Sequence, residues 1–280
     1  MLAPFALRSL CIRRMSRIFF ALLVVFFLAA CDRPRLGPNF CPQGEEPPRN
    51  TILLLDTSDP LTAEHREEFR RLVREMTQSP SRDEDSSEFY VATGEALIVY
   101  ELSEDLDLLQ PFLSICNPGG NPRDWTWIRD LIEGRVIARR RWEQFIGSLE
   151  QVLEELFADA ESSSASRSPI IESLGVIVPR HAASRRTASA NAPRTHLIIY
   201  SDLLQHTDAL SHYGPYPLAE ELRSDDNLQH LLTDLAGVDV SLYRLERAQY
   251  GRWQSADHYY WWTSLVNDVL DGYLIYQDSI

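Results

Sequence analysis

The stretch TILLLDTSDPLT (Thr51–Thr62) decides the fold of this chain. Its first half is an unbroken apolar run, which is typical of a strand buried on both faces of a parallel sheet. The run stops at Asp56, and further hydroxyl and carboxylate side chains follow. Because open α/β sheets bind their ligands beyond the carboxyl ends of the strands, this stretch predicts both a central strand and a candidate site.

Beyond this stretch, strands and helices alternate along the chain. This order predicts one α/β domain over residues 51–280, in which helices cover both faces of a mostly parallel sheet. The predicted strands are Thr51–Leu55, Ala96–Tyr100, Pro111–Cys116, His196–Tyr200 and Val238–Tyr243, with a short edge segment at Gly272–Tyr276. The predicted helices are Ala63–Met76, Arg135–Asp159, Ser168–Val178, Leu228–Leu235 and Ala256–Leu270.

Residues 1–30 have the composition of a signal peptide. A basic segment precedes the apolar run Ile18–Leu28, which is short for a membrane-spanning helix. The motif LAAC (Leu28–Cys31) follows and closely resembles the lipobox of bacterial lipoproteins. That resemblance implies cleavage before Cys31 and attachment of lipid to this cysteine, which becomes the mature N-terminus. The alternative is an ordinary signal peptide with an incidental cysteine.

The start and the destination of the exported chain both depend on this leader. Either Met1 or Met15 is the start, since residues 15–31 already form a complete signal. Asp32 resembles the residue that retains enterobacterial lipoproteins at the inner membrane. We therefore expect a lipid-anchored protein of the bacterial cell envelope that faces the periplasm, with the membrane as a partner through the lipid.

Residues 31–50 are rich in proline and glycine, which predicts a lipidated tether without a core of its own. The tether contains Cys41, and the exported part has one more cysteine after it, Cys116. Two cysteines in an oxidising compartment favour a single disulfide. The alternative is a pair of separate buried thiols.

The charge of the chain limits its partners. It has 41 acidic and 27 basic side chains, a net charge of −14, and the leader contributes four arginines but no acid. The exported part is therefore more acidic still. Nucleic-acid binding needs a basic surface, so the composition argues against it. It also argues against an electrostatic membrane patch, which leaves the lipid as the anchor.

Three polar clusters follow apolar runs or open helices, at residues 56–59, 166–168 and 201–202. The ends of the first and fourth parallel strands share one edge of the sheet, so we expect Asp56 and Asp202 to lie close together. Carboxylate and hydroxyl oxygens suit Mg²⁺ or Ca²⁺, with water completing the shell. The alternative is that both aspartates cap helices and satisfy loop amides.

From Thr51 to Leu270, the element order and these three loops resemble the von Willebrand factor type A fold, a Rossmann-type three-layer architecture. That family carries a metal-ion-dependent adhesion site, with Asp-x-Ser-x-Ser in the first loop, a threonine in the second and an aspartate in the third. The resemblance implies a Mg²⁺ or Ca²⁺ site formed by Asp56, Ser58, Ser168 and Asp202, with Ser166 as the alternative to Ser168.

Pro60 departs from the family pattern, because it stands where the second serine of the first loop belongs. One direct hydroxyl ligand is thereby lost, and the adhesion site is degenerate. Asp59 and Thr62 are nearby oxygen donors that would compensate for this loss. The other outcome is a site without metal.

The sequence lacks the residues that other common catalytic sites require. A haloacid-dehalogenase-like phosphatase needs Asp-x-Asp and a lysine, but Ser58 holds the second position and the chain has no lysine. The sequence has no Gly-x-Ser-x-Gly, no glycine-rich phosphate loop and no zinc-type pairing of histidines or cysteines. His206 lies near Asp202 in the sequence, but we interpret it as a solvated loop histidine.

The aromatic run YYWW (Tyr259–Trp262) predicts a helix with one aromatic face in the core. A partner-docking surface is the alternative, since Trp and Tyr are frequent in interface hot spots.

The sequence favours a binding module rather than an enzyme, because no convincing catalytic constellation is present. We expect an envelope lipoprotein that recognises another protein, with a metal ion completed by a carboxylate of that partner. The alternative is a metal-dependent, phosphoesterase-like hydrolase that uses Asp56 and Asp202 as ligands or nucleophile.

Overall fold

The computed structural model describes residues 36–78, 89–121, 135–160, 165–182 and 194–280. The predicted signal peptide, Cys31 and Asp32 lie outside these ranges. The described residues within 36–42 and 46–280 belong to one compact unit. In the described part of the chain, no helix is both long enough and apolar enough to cross a membrane.

One six-stranded sheet runs through the described residues. Its strands are β1 (Arg49–Leu55), β2 (Ala96–Glu101), β3 (Pro111–Cys116), β4 (Arg194–Ser201), β5 (Val238–Arg244) and β6 (Tyr273–Ser279). They lie in the order β3-β2-β1-β4-β5-β6, and only β3 is antiparallel to its neighbour. The predicted α/β fold with a mostly parallel sheet is confirmed, and the predicted edge segment is a full strand.

Helices cover both faces of this sheet. They are α1 (Ala63–Thr77), α2 (Arg135–Ala160), α3 (Ile170–His181) and α4 (Ala256–Ser264), and α4 continues into a π-helical turn at Leu265–Val269. Buried side chains of α1 and α2 belong to one core cluster, and those of α3 and α4 belong to another. The architecture therefore has three layers, consistent with a Rossmann-like fold.

The apolar run of β1 divides its side chains between the two core clusters. Ile52 and Leu54 pack with α3 and α4, whereas Leu53 and Leu55 pack with α1 and α2. All four side chains are at most 1% exposed. Because successive side chains of a strand point to opposite faces, only an unbroken apolar run suits a strand covered on both sides.

The predicted helix at Leu228–Leu235 is wrong. One short 3₁₀ turn, Gln229–Leu231, occupies this region, and another, Ala219–Arg223, precedes it. Polar side chains bind the backbone of their own segment here, as when Asp225 Oδ1 accepts a hydrogen bond from the Asn227 N–H at 2.8 Å. Such bonds compete with helix formation, and the leucines reach the core from the turns instead.

The predicted start of a helix at Ser168 is also wrong. Pro169 is the N-cap residue of α3, and Ser168 pairs instead with His206 in an isolated antiparallel bridge. Their backbones exchange two hydrogen bonds, of 2.8 and 2.9 Å. Ser168 is thus held by a loop from the neighbouring part of the sheet rather than by its own helix.

The segment Leu36–Pro42 is attached to the domain. Cys41 and Cys116 form a disulfide, and the Cys116 N–H donates to the Asn39 carbonyl at 2.9 Å. Phe40 packs against the α1 and α2 side of the core. The strand β1 begins at Arg49, so the last two residues of the predicted tether belong to the sheet.

We expect replacement of both cysteines by alanine (C41A/C116A) to lower the free energy of unfolding by about 3 kcal/mol, because the disulfide closes a long loop in the unfolded chain. The sequence separation of the two cysteines is 75 residues. Urea unfolding of the double variant and of wild type, each with and without reductant, measures this effect. Equal midpoints for oxidised wild type and the double variant would contradict it.

Candidate functional site

The candidate site lies where β1 and β4 end side by side. These strands are parallel neighbours, and Leu55 is in register with Tyr200. The Asp56 N–H donates to the Tyr200 carbonyl at 2.9 Å, so Asp56 continues the pairing for one more residue. The predicted proximity of the first and third polar loops is thereby observed.

Three hydrogen bonds satisfy the carboxylate of Asp56, which is only 2% exposed. Its Oδ1 accepts from the Ser58 N–H at 2.9 Å. Its Oδ2 accepts from the Ser201 hydroxyl at 2.5 Å and more weakly from the Ser168 hydroxyl at 3.3 Å. One carboxylate thus ties all three predicted loops together.

Ser201 was not among the predicted site residues, although it is fully buried and makes the shortest bond to Asp56. It is the last residue of β4, directly before Asp202. The signal that would have found it is the position of a hydroxyl at the end of a strand next to β1.

Asp202 is also 2% exposed, and its Oδ1 accepts from the Leu204 N–H at 2.9 Å. The next residue, Leu203, has a left-handed backbone (φ 63°). Its carbonyl accepts from the indole N–H of Trp262 at 2.8 Å, and the rings of His212 and His258 lie within 3.3 Å of the same oxygen. Buried aromatic residues therefore fix the loop that carries Asp202.

This contact also accounts for the aromatic run. Trp262 is fully buried and Trp261 is 5% exposed, whereas Tyr260 is 69% exposed. The prediction of a helix with one aromatic face in the core is therefore confirmed.

Arg247 is the site residue that sequence reasoning missed. It follows β5 and is only 7% exposed. Its guanidinium donates to the Pro60 carbonyl at 2.8 Å through Nη1 and to the Asp59 carbonyl at 3.2 Å through Nη2. Its Nε lies 3.3 Å from Asp202 Oδ2. One buried cation therefore contacts both the first and the third loop.

Two buried carboxyl groups, Asp56 and Asp202, lie near each other, and Asp202 contacts the guanidinium of Arg247. Burial, followed by the charge of Asp56, raises the pKa of Asp202 to about 8, whereas the Leu204 amide and Arg247 act in the opposite direction. The Nε of Arg247 makes no hydrogen bond of good geometry, which is consistent with a weakly paired Asp202.

Two of the four predicted metal ligands contact each other, because the Ser168 hydroxyl donates to Asp56 Oδ2. Asp56 has its oxygens engaged by loop donors, and Ser58 lies half-buried at the mouth of a cavity. Within the described ranges, no group of three or more His, Cys, Asp or Glu side chains is placed to hold a metal ion. Asp202, one of these four predicted donors, faces the guanidinium of Arg247.

Both aspartates accept hydrogen bonds from loop amides, as the loop-amide alternative predicts. Asp56 accepts from the Ser58 amide and Asp202 from the Leu204 amide. Neither caps a helix, because Thr62 caps α1 by accepting from the His65 N–H at 3.1 Å. Thr62 is therefore not a substitute ligand for the serine that Pro60 replaces.

Two cavities open on either side of Ser58. The smaller, of about 330 Å³, is lined by Asp59, Arg167, Ser168, His206, Tyr213 and Tyr250. The larger, of about 550 Å³, is lined mainly by Glu101, Glu104, Asp105, Leu108, Phe112 and Arg167. Both cavities lie at the carboxyl edge of the sheet, above the buried charges.

An aromatic rim borders the smaller cavity, formed by Tyr213, Tyr250, Arg252 and Trp253. The three aromatic rings have centroids 4.9–5.9 Å apart. The guanidinium of Arg252 lies 3.7 Å from the centre of the Trp253 ring. All three aromatic residues are partly exposed and Arg252 is exposed, so this rim faces solvent.

Comparison with known proteins adds little to this geometry. No protein-family model matches the chain, and no curated protein matches it. Among solved structures, it is similar to proximal thread matrix protein 1 from the mussel byssus, with 13% sequence identity and a TM-score of 0.31. The match covers 80% of this chain and 47% of that one.

We expect replacement of Asp202 by asparagine to remove a pH dependence of stability. The pKa of this carboxyl is about 8 when folded and has its ordinary value of 3.8 when unfolded. The folded state retains a proton that the unfolded state releases, so the free energy of unfolding falls as pH rises between these values, by about 1 kcal/mol per pH unit. Urea unfolding from about pH 5 to pH 8 measures this slope.

The matched control is Asp208→Asn, because Asp208 is almost fully exposed. Its pH dependence should equal that of wild type, whereas the slope for Asp202→Asn should be shallower. Parallel slopes for wild type and Asp202→Asn would contradict the assignment of a proton to this carboxyl.

Proposed function

We propose that this chain is an envelope lipoprotein whose α/β domain binds another protein at the carboxyl edge of its sheet. The observation that carries this proposal is the aromatic rim beside the smaller cavity. Tyr, Trp and Arg dominate interface hot spots because they offer large contact areas together with polar groups. Here such residues surround a concave mouth.

Rigid support beneath the rim favours recognition. Gln254 donates to the carbonyls of Asp202 and Leu245, at 3.1 and 2.7 Å, and its Oε1 accepts from the Arg247 N–H at 2.9 Å. The rim therefore rests on the same loops that the buried charges hold together. A surface that is already ordered loses little entropy when it binds a partner.

Hydrogen bonds between the three loops support the proposed likeness to a type A domain. The three loops that carry the resemblance meet around Asp56, at one edge of the sheet. The proposed export has separate support, because the Cys41–Cys116 disulfide is typical of an oxidising compartment. We place the protein in the periplasm, anchored by lipid on Cys31, with Asp32 favouring the inner membrane.

We expect Cys31→Ser to abolish lipid attachment, because only the thiol of Cys31 follows the lipobox-like motif. Metabolic labelling of the expressed protein with an alkyne fatty acid, followed by detergent phase partition, measures this. Cys11→Ser is the matched control, since it removes another leader cysteine and should leave labelling intact. Equal labelling of wild type and Cys31→Ser would contradict the lipoprotein assignment.

We expect a photoreactive amino acid at position 252 to crosslink to a discrete partner in the native envelope, because Arg252 is exposed on the rim. The same amino acid at Gln151, which is exposed on α2, serves as the control and should yield no such adduct. Tyr250→Ala should weaken the adduct at position 252.

Two results would count against the binding proposal. One is the absence of an adduct, or the same adducts from positions 252 and 151. The other is turnover in a phosphoester substrate screen that Asp56→Ala abolishes, which would support the hydrolase alternative instead.

A further inference from the structure

We infer that Arg247 is the resident cation of this site and that its guanidinium stands in place of a divalent metal ion. In this role it is a positioning residue, which holds the first loop against the third. The inference concerns how the site is held together and does not depend on the proposed binding partner.

The contacts of Arg247 are those expected of a cation that organises oxygen atoms. Its two terminal nitrogens donate to the successive carbonyls of Asp59 and Pro60, and its Nε faces the carboxylate of Asp202. Carbonyl and carboxylate oxygens are also the ligands that Ca²⁺ uses. In this structure Asp202 Oδ2, one of the predicted metal-ligand oxygens, already faces the guanidinium.

Because position 247 is buried, another side chain could not easily replace the arginine there. Arginine stays charged in proteins, and a buried charge requires partners of opposite sign. Arg247 is 7% exposed, and Asp202 is the carboxylate in direct contact with it. A neutral side chain here would remove the cation that faces Asp202 and the donors to the Asp59 and Pro60 carbonyls.

The departure at Pro60 fits the same interpretation. The family pattern has a serine hydroxyl at this position, whereas Pro60 contributes its carbonyl oxygen, which accepts from Arg247 Nη1 at 2.8 Å. The first loop thus contacts a cation through the main chain instead of a side chain.

Arg247 is itself fixed in place. Its N–H donates to Gln254 Oε1, and the amide of Gln254 bonds to the carbonyls of Asp202 and Leu245. The guanidinium therefore has little freedom to leave the space between the loops. A divalent ion entering beside it would meet a fixed positive charge, which repels it.

The test compares wild type, Arg247→Met and Arg247→Lys, as full-length proteins purified in detergent. Each is titrated calorimetrically with Mg²⁺, Ca²⁺ and Mn²⁺. We expect no binding by wild type, a gain in affinity of at least about tenfold for Arg247→Met, and no gain for Arg247→Lys, which keeps the charge. A residue that only fills space would not produce this difference between methionine and lysine.

Three results would overturn the inference. They are metal binding by wild type that Asp202→Asn abolishes, a folded Arg247→Met variant that gains no affinity, and an equal gain in Arg247→Lys. If Arg247→Met does not fold, the double variant R247M/D202N decides, because it removes the carboxylate left without its cation. Recovery of folding in the double variant supports the inference, and failure to recover overturns it.

Discussion

The balance of buried charge at the carboxyl edge is the constraint on which the rest of this structure depends. Two carboxylates, Asp56 and Asp202, are almost fully buried, and Asp202 lies 3.3 Å from the guanidinium of Arg247. Charged groups in such a place are stable only when hydrogen bonds and opposite charges satisfy them. The loops after β1, β4 and β5 are each held by what they supply to this cluster. Loop conformation here depends on these buried charges together with local hydrogen bonds to loop amides and the contact of Trp262 with Leu203.

The order of the strands determines where these buried charged residues lie. Because β1 lies between β2 and β4, its end is surrounded by other parts of the domain, and Asp56 has no direct route to water. The antiparallel bridge between Ser168 and His206 closes the remaining side. Exposed groups such as Tyr250 and Arg252 lie above this closed floor. The residues that face solvent are therefore different from the buried charged residues beneath them. Gln254 connects the two sets.

Local patterns in the sequence were sufficient for the fold but only partly for the site. The four apolar residues Ile52–Leu55 indicated burial on both faces, and the two core clusters confirm it. Asp56 and Asp202 were found because parallel strands end at one edge. Arg247 was missed because it lies 187 residues from Pro60 in the chain, and nothing near it marks it as buried. The helix expected at Leu228–Leu235 failed for a different reason, since polar side chains there bind their own backbone.

The disulfide has a mechanical consequence. Cys116 is in register with Ala96, the first residue of β2, so the bridge lies at the end of the sheet opposite Asp56 and Asp202. A pull that reaches the domain through Leu36–Pro42 is shared by two covalent routes, one along the backbone into β1 and one across the disulfide into β3. A pulling force therefore cannot separate β1 from its neighbouring strands without also acting on β3. A domain held by its N-terminal end would thus resist force at the end that is held, while the opposite end stays unstrained.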